Sequence, residues 1–582
     1  MKYLNFESKY NRFPKIPVTG FDTAITEGYR KIADQLLSAA QGKKIITIET
    51  YYGVDLDKLE AELFPHLDAS LIIHADSALM DAKEIRHLLQ RNVTDDRVFG
   101  VMSHHMLEEF FIEEKVEALR NQIDSAEGRV IVYGTGASLI HTGDILVYGD
   151  MARWEIQQRF RAGMANWQDD NHDEDMLRKY KKSYFIEWRM CDRLKRKLYN
   201  QMDFILDTNK VDTPKMVPAE AYLAGISQAA NKPFRLVPYF DPGVWGGQWM
   251  KEVCNLDPEK ENYAWSFDGV PEENSIYLEF GDNYIEIPSI NVVFREPVNL
   301  LGDTVHARFG TEFPIRFDFL DTMEGGHLSL QVHPLTEYIQ DKFGMAYTQD
   351  ESYYILDAGD DACVYLGTKE GIDPDEMFRD LERAQAGEIT FPDEKYINKF
   401  PAKKHDHFLI PAGTIHCSGR NSMVLEVSAT PYIFTFKLWD WGRVGMDGIP
   451  RPVHLEHGRQ VVQFDRDTKW VEKNLVNDIT LIEETPKYKE EKTGLHQREP
   501  IETRRFTFND EVILDNKGSV NMLNLIQGQE VVVESLDSRF EPLTINFAET
   551  FIVPASCKRY KVRVTSNETG EDTMIIQAYV RS

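Results

Sequence analysis

Cysteine is scarce in this chain of 582 residues: there are five, Cys191, Cys254, Cys363, Cys417 and Cys557. They are scattered, odd in number and never spaced as CxxC, which excludes a disulfide framework and a cysteine zinc site and fits a reducing compartment. No run of about 18 apolar residues occurs, so no membrane-crossing helix is expected. The first residues, Met1 to Pro17, lack the apolar stretch of a secretory signal, and a cytoplasmic location is the expectation. The Gly-x4-Gly-Lys-Ser/Thr phosphate loop is absent, as are internal repeats and low-complexity segments. Positive charge is short as well, with 66 Lys and Arg against 95 Asp and Glu and a formal net charge of −29. An acidic surface of that size argues against nucleic-acid binding through phosphate neutralisation. It leaves room for an anionic substrate, because a few local cations outweigh a distant field at short range.

What is present reads as several domains, since the chain exceeds one hydrophobic core. Residues 1–210 alternate short β-branched runs (Ile45–Glu49, Leu71–His74, Val98–Val101, Arg129–Tyr133, Ile145–Tyr148, Asp203–Asp207) with helical patterns. That predicts a largely parallel α/β sheet covered on both faces. A polar helical stretch runs from Trp154 to Asn200. Within 211–485, strands become closely spaced from about Val237, with Gly, Pro and Asp at the turns, as in a jelly-roll barrel. A helical insertion falls near 373–387. Pro486 to Pro500 reads as a charged linker, and 486–582 as a second β-barrel. Its last 80 residues contain no histidine, so no metal site is expected there.

The most informative stretch is Gln331-Val-His333-Pro, followed by Glu351 and by Pro411-Ala-Gly-Thr-Ile-His416. Residues two apart share one face of a strand, so Gln331 and His333 can face one point. Two imidazoles, a carboxylate and an amide oxygen make a mixed N/O set for a divalent metal such as zinc, with a position left open for substrate. The alternative is that buried histidines and a glutamate satisfy one another. A metal-bound histidine needs an acceptor for its second nitrogen, and Asp350, Ser352 and Glu426 are candidates. His405-Asp406-His407 offers either a second metal site or a turn followed by a strand.

These motifs resemble class I phosphomannose isomerases, zinc-dependent cupin enzymes that interconvert mannose 6-phosphate and fructose 6-phosphate. Phe240-Asp-Pro-Gly-Val-Trp-Gly-Gly247, His327-Leu-Ser-Leu-Gln-Val-His-Pro334, Glu351-Ser-Tyr-Tyr-Ile-Leu-Asp-Ala358 and His407-Phe-Leu-Ile-Pro-Ala-Gly-Thr-Ile-His416 carry the resemblance. It runs from Val237 to about Asp467 and, with the terminal barrel added, takes in 237–582. It implies a cupin catalytic domain at 211–485 and one zinc ion held by Gln331, His333, Glu351 and His416. It also implies a phosphorylated sugar substrate and isomerisation through a cis-enediol. Basic residues beyond the last strand, Lys437 and Arg443, correspond to positions that serve catalysis or the phosphate. Nothing in it implies nucleic-acid or membrane partners, or an oligomeric state.

The chain departs from the family in two places. Lys437 stands where many relatives have arginine, which keeps the charge and loses the bidentate fork. Gln349-Asp350 precedes Glu351 where relatives commonly carry lysine two residues before the glutamate. Lys342, Lys403 and Lys404 are candidates to replace that cation, or plain surface lysines. The alternative reading is therefore a protein of the same fold with altered or lost catalysis, a sugar-phosphate sensor, or an isomerase for a different sugar. The N-terminal region faintly resembles a degenerate P-loop kinase-like domain. Gly134-Thr-Gly136-Ala-Ser138 offers a turn for a phosphate or merely a tight turn. Asp150, Arg153, Arg159 and Arg161, with the basic helix Arg189–Lys197, resemble a kinase lid.

Overall fold

The computed structural model describes residues 2–429, 432, 434–448, 451–568 and 570–581. The chain forms two compact units, one of Lys15–Gln228 with Ser275–Arg295, the other of Met1–Pro14, Ala229–Asn274 and Glu296–Ser582. Among the described residues no helix is long and apolar enough to cross a membrane.

The first unit is built on β1 (Ile45–Thr50), β2 (Ala69–His74), β3 (Arg129–Gly134), β4 (Ile145–Asp150) and β5 (Phe204–Asp207). They lie parallel in the order β5-β4-β1-β3-β2. Past β5 the sheet continues through Lys215–Pro218 and then Thr26–Glu27, both antiparallel. β1 and β4 are buried along their whole length. Burial on both faces is why these strands read as continuous apolar runs. Val98–Val101, expected as a strand, is not one. After helix Ala82–Val93 the chain turns at Thr94 with φ 55°. Val101 N–H then donates to Asn92 O at 2.8 Å, and Asn92 Nδ2 donates to Val101 O at 3.0 Å. The apolar run closes a helix end and joins no sheet.

The glycine turn after β3 already holds a carboxylate. Glu49, at the end of β1, is buried, and its Oε1 accepts Gly136 N–H at 2.7 Å while its Oε2 accepts Ser138 N–H at 2.8 Å. Burial pushes its pKa up to about 7, against the opposing effect of those two bonds. The amides that would receive a phosphate are thus occupied from within. Glu49→Ala leaves two buried donors unsatisfied and opens a cavity. A loss of about 2–4 kcal/mol from the unfolding free energy is expected in denaturant titration; a loss below about 0.5 kcal/mol would contradict this role.

Three of the cations that resemble a kinase lid, Arg153, Arg159 and Lys195, turn inward, while Arg161, Arg196 and Lys197 are exposed. Lys195 pairs with Asp150 at 2.8 Å and reaches Asn291 Oδ1 at 3.0 Å. Arg153 pairs with Asp192 at 2.6 Å, and Arg159 donates to the carbonyls of Gly53 and Thr208 at 2.7 and 2.9 Å. Lys195, Asp150 and Arg153 are each about 1% exposed, so this network serves the interior.

The second unit carries β6 (Tyr239–Asp241), β7 (Trp265–Gly269), β8 (Arg316–Asp321), β9 (Leu330–Val332), β10 (Asp350–Ala358) and β11 (Cys363–Thr368). It continues with β12 (Ile397–Pro401), β13 (His407–Ile410), β14 (His416–Ser418), β15 (Ser422–Ala429) and β16 (Phe436–Trp439). Two antiparallel sheets result, β13-β10-β15-β8-β7-β6 and β12-β11-β14-β9-β16. Helix Pro374–Gln385 lies between β11 and β12; Asp373 caps it, and Met377, Phe378, Leu381 and Ala384 form its buried stripe.

The segment expected as a linker contains a strand. Tyr488–Gly494 pairs with Thr480–Glu484 and Ile501–Phe508. Its acidic residues find partners across the ladder, Glu490 with Arg504 and Glu491 with Arg505, both at 2.8 Å. The chain closes with a six-stranded and a four-stranded antiparallel sheet, joined by a core that includes Leu523, Leu525, Val531, Val533, Phe551 and Ile575.

Candidate metal centre

Four strand ends bring the centre together. Gln331 lies opposite His416 across β9 and β14, and opposite Lys437 across β9 and β16. Directly opposed residues share a face, so these three side chains project to one side of the sheet. His333 follows β9 by one residue and keeps the parity of Gln331. Glu351 comes from β10 of the other sheet, between Ile410 and Ser428.

The turn that delivers His416 needs its glycine. Gly413 has φ +87°, and an added Cβ would meet Gln463 Cγ at 2.7 Å and Val461 O at 3.0 Å. Its N–H donates to His333 O at 2.9 Å, which ties the turn to the strand end carrying the other histidine. Buried Arg466 secures the turn from behind, reaching Thr414 Oγ1 at 2.6 Å and Pro411 O at 3.1 Å.

His333 Nε2 lies 3.0 Å from Glu351 Oε2, and His416 Nε2 lies 2.9 Å from Glu351 Oε1. All three residues are fully buried. Among the described residues, this is the group of His, Cys, Asp and Glu side chains whose donor atoms converge closely enough for a metal ion. Each imidazole donates its Nδ1–H to a backbone carbonyl, His333 to Phe434 O at 2.7 Å and His416 to Thr414 O at 2.9 Å. Both Nε2 lone pairs are thereby aimed at the carboxylate. Neither His333 Nε2 nor Glu351 Oε1 has a hydrogen-bond partner. Lone pairs facing a carboxylate oxygen at 3 Å in a dry interior repel unless a proton or a cation lies among them. The residues therefore fit a divalent ion. The amide of Gln331 borders the group, its Nε2 3.2 Å from His416 Nε2.

The electrostatics point the same way. Burial raises the pKa of Glu351, yet His333 and His416 outweigh it and hold the carboxyl well below its usual range. Burial lowers His333, and the Glu351 carboxylate reverses that and raises it. His416 stays lowered, first by burial and then by the charge of His333. The buried carboxylate thus favours positive charge among the donor atoms of the cluster.

The backbone carbonyls of Phe434 and Thr414 take the second-nitrogen role, not Asp350, Ser352 or Glu426. Asp350 accepts Ala412 N–H at 2.8 Å, and Ser352 Oγ lies 2.8 Å from His407 Nε2. His405 sits in a turn at φ 73°, between Tyr354 Oη at 3.0 Å and Gln527 Oε1 at 2.8 Å. His407 begins β13, its imidazole pushed down to about 3 by burial. His405-Asp406-His407 is therefore a turn and a strand start.

Lys437 is half-buried and stands beside Gln331 by register. Arg443 belongs to a separate ion-pair group, bonded to Asp440 Oδ1 at 2.6 Å, with Arg451 on the same carboxylate at 3.1 Å. Lys342, Lys403 and Lys404 are exposed. Gln349, the position without the expected cation, is buried, and its Nε2 donates to Glu351 Oε2 at 2.8 Å. Arg466 and the two carbonyls escaped sequence reasoning. A backbone acceptor has no residue signature, and Arg466 lies 50 residues after His416.

Residues 28–231 match a family described as a domain of unknown function (DUF8485). Mannose-6-phosphate isomerase ManA of Bacillus subtilis is 25% identical over 243 residues, 40% of this chain and 69% of that protein. Mannose-6-phosphate isomerase of Streptococcus mutans is 24% identical over 225 residues, 38% of this chain and 65% of that protein. Among solved structures, the mannose 6-phosphate isomerase from Bacillus subtilis aligns over 60% of this chain and 100% of its own length, with TM-score 0.49 and 18% identity. A variant of phosphomannose isomerase from Salmonella typhimurium aligns over the same shares, with TM-score 0.46 and 13% identity. By sequence, over about 40% of the chain, the resemblance to mannose-6-phosphate isomerases is borne out.

Proposed function

We propose that this chain is a metal-dependent aldose–ketose isomerase that interconverts mannose 6-phosphate and fructose 6-phosphate. One zinc ion would be held by Gln331, His333, Glu351 and His416. The observation that carries the reading is the convergence of two imidazole lone pairs on a fully buried carboxylate, in a chain similar to isomerases of that name. Gln331 serves as a ligand through its amide oxygen, which requires a half-turn of the amide away from its present bond to His416.

The reaction has no net oxidant. C2 loses its proton and C1 gains one, while O1 takes a proton and O2 gives one up. Negative charge develops on the two oxygens of the cis-enediol along the way, and a cation near them lowers the barrier. When bound, zinc supplies Lewis acidity at those oxygens. Lys437, beside Gln331 and half open to solvent, supplies a second positive charge that meets the substrate oxygens or phosphate. Arg443, held by Asp440, provides a further cation at the strand end.

The absence of a cation at Gln349 favours a second reading, a sensor that binds the sugar phosphate without converting it. Incubating mannose 6-phosphate with the zinc-loaded protein in deuterated water separates the two. Loss of the C2 proton signal, followed by proton NMR, supports the isomerase. Saturable binding with a C2 signal unchanged over hours would defeat it in favour of the sensor.

A further inference from the structure

We infer that Gln349 is a positioning residue of the metal centre, setting Glu351 directly and His333 through the backbone of Phe434. The inference rests on the metal-site reading above. It goes beyond that reading by giving a role to the residue that departs from the family pattern.

Gln349 is 3% exposed and both ends of its amide are engaged. Phe434 N–H donates to Gln349 Oε1 at 2.9 Å, and Gln349 Nε2 donates to Glu351 Oε2 at 2.8 Å. The first bond fixes the orientation of the amide, because a backbone N–H can only donate. The nitrogen must therefore face the carboxylate. Phe434 O in turn accepts His333 Nδ1–H at 2.7 Å, and His333 Nε2 returns to Glu351 Oε2 at 3.0 Å. Gln349, Glu351, His333 and Phe434 thus form a closed ring of polar contacts in a buried place. One residue from the start of β10 and one from the approach to β16 are locked together, with a metal-ligating side chain on each side of the lock.

The chemistry of the amide matters as much as its position. A neutral donor steadies Glu351 and leaves its full negative charge for the metal. Lysine would place an ammonium beside the same oxygen and compete with the metal for it. It would also have no acceptor for Phe434 N–H. Glutamate would have no donor for Glu351 and would set two carboxylates side by side. Of the side chains long enough to span the gap, glutamine is the one that donates on one side and accepts on the other without adding charge.

The test is metal affinity of the full-length protein, stripped of metal and titrated with zinc against a chromophoric chelator. Gln349→Met keeps the volume and removes both bonds; its affinity should fall about 10- to 100-fold, the usual effect of losing a group that orients a ligand. Gln349→Lys should weaken binding as well, and serves where the methionine variant fails to fold. His416→Ala, which removes a ligand outright, marks the zero of the scale. Cobalt substitution adds a readout that a merely structural role would not move: the visible bands of Gln349→Met should shift, because the ligand arrangement changes. Wild-type affinity and an unchanged cobalt spectrum in both variants would overturn the inference while leaving the metal site standing. Failure of the wild-type protein itself to bind zinc would overturn both together.

Discussion

His416→Ala should remove bound zinc and turnover together. The imidazole supplies one of two nitrogens aimed at the centre, and the bond of its Nδ1–H to Thr414 O fixes that aim. Without it, Glu351 Oε1 faces an empty space in a fully buried pocket. Zinc content should drop from about one per chain to a trace. Turnover should fall by about 10³ or more, since Lewis-acid stabilisation amounts to several kcal/mol and each 1.4 kcal/mol is about a factor of ten. His405→Ala is the matching control. His405 sits in a turn between Tyr354 and Gln527, and its loss should leave zinc content unchanged and turnover within about threefold. Full activity of His416→Ala with stoichiometric zinc would remove His416 from the site.

Lys437→Met is expected to separate chemistry from metal binding. Lys437 shares the sheet face of Gln331 and His416 but is not one of the metal-holding side chains. The substitution keeps most of the length and removes the charge. The zinc content should stay near one per chain while kcat falls about 10²- to 10³-fold, the scale on which one well-placed stabiliser of developing charge acts. Lys437→Arg should recover most of the loss, because charge rather than fork geometry is what this position offers in the present chain. A kcat within about threefold of wild type for Lys437→Met, with zinc in place, would show that the charge needed for the enediolate comes from elsewhere, with Arg443 the next to replace.

The legible part of the site was the part whose signal is local. Gln331 and His333 declare themselves because a strand repeats every two residues, and the spacing survives into the structure as a shared face. Glu351 and His416 carry no such mark, and only the similarity to a family singles them out. The supports were illegible for a physical reason. Two are backbone carbonyls, and the role of Gln349 depends on Phe434, which arrives 85 residues later. The parallel strands β1 and β4 of the first unit were readable because they are buried along their whole length, whereas β2, buried only at Ile73, was readable from its β-branched residues. Val98–Val101 has the same composition and serves the end of a helix. The charged segment after Pro486 reads as a linker because its partners, Arg504 and Arg505, lie 14 residues away across the ladder. The glycine turn at Gly134–Ser138 suggested a phosphate, while its amides are filled by Glu49 from a strand that precedes it by about 85 residues.

The most direct measurement is formation of fructose 6-phosphate from mannose 6-phosphate by the purified full-length protein, zinc-loaded and compared with a sample stripped by chelator. The account predicts turnover that disappears on chelation and returns when zinc is restored to about one ion per chain. No turnover from protein that holds its zinc would contradict it.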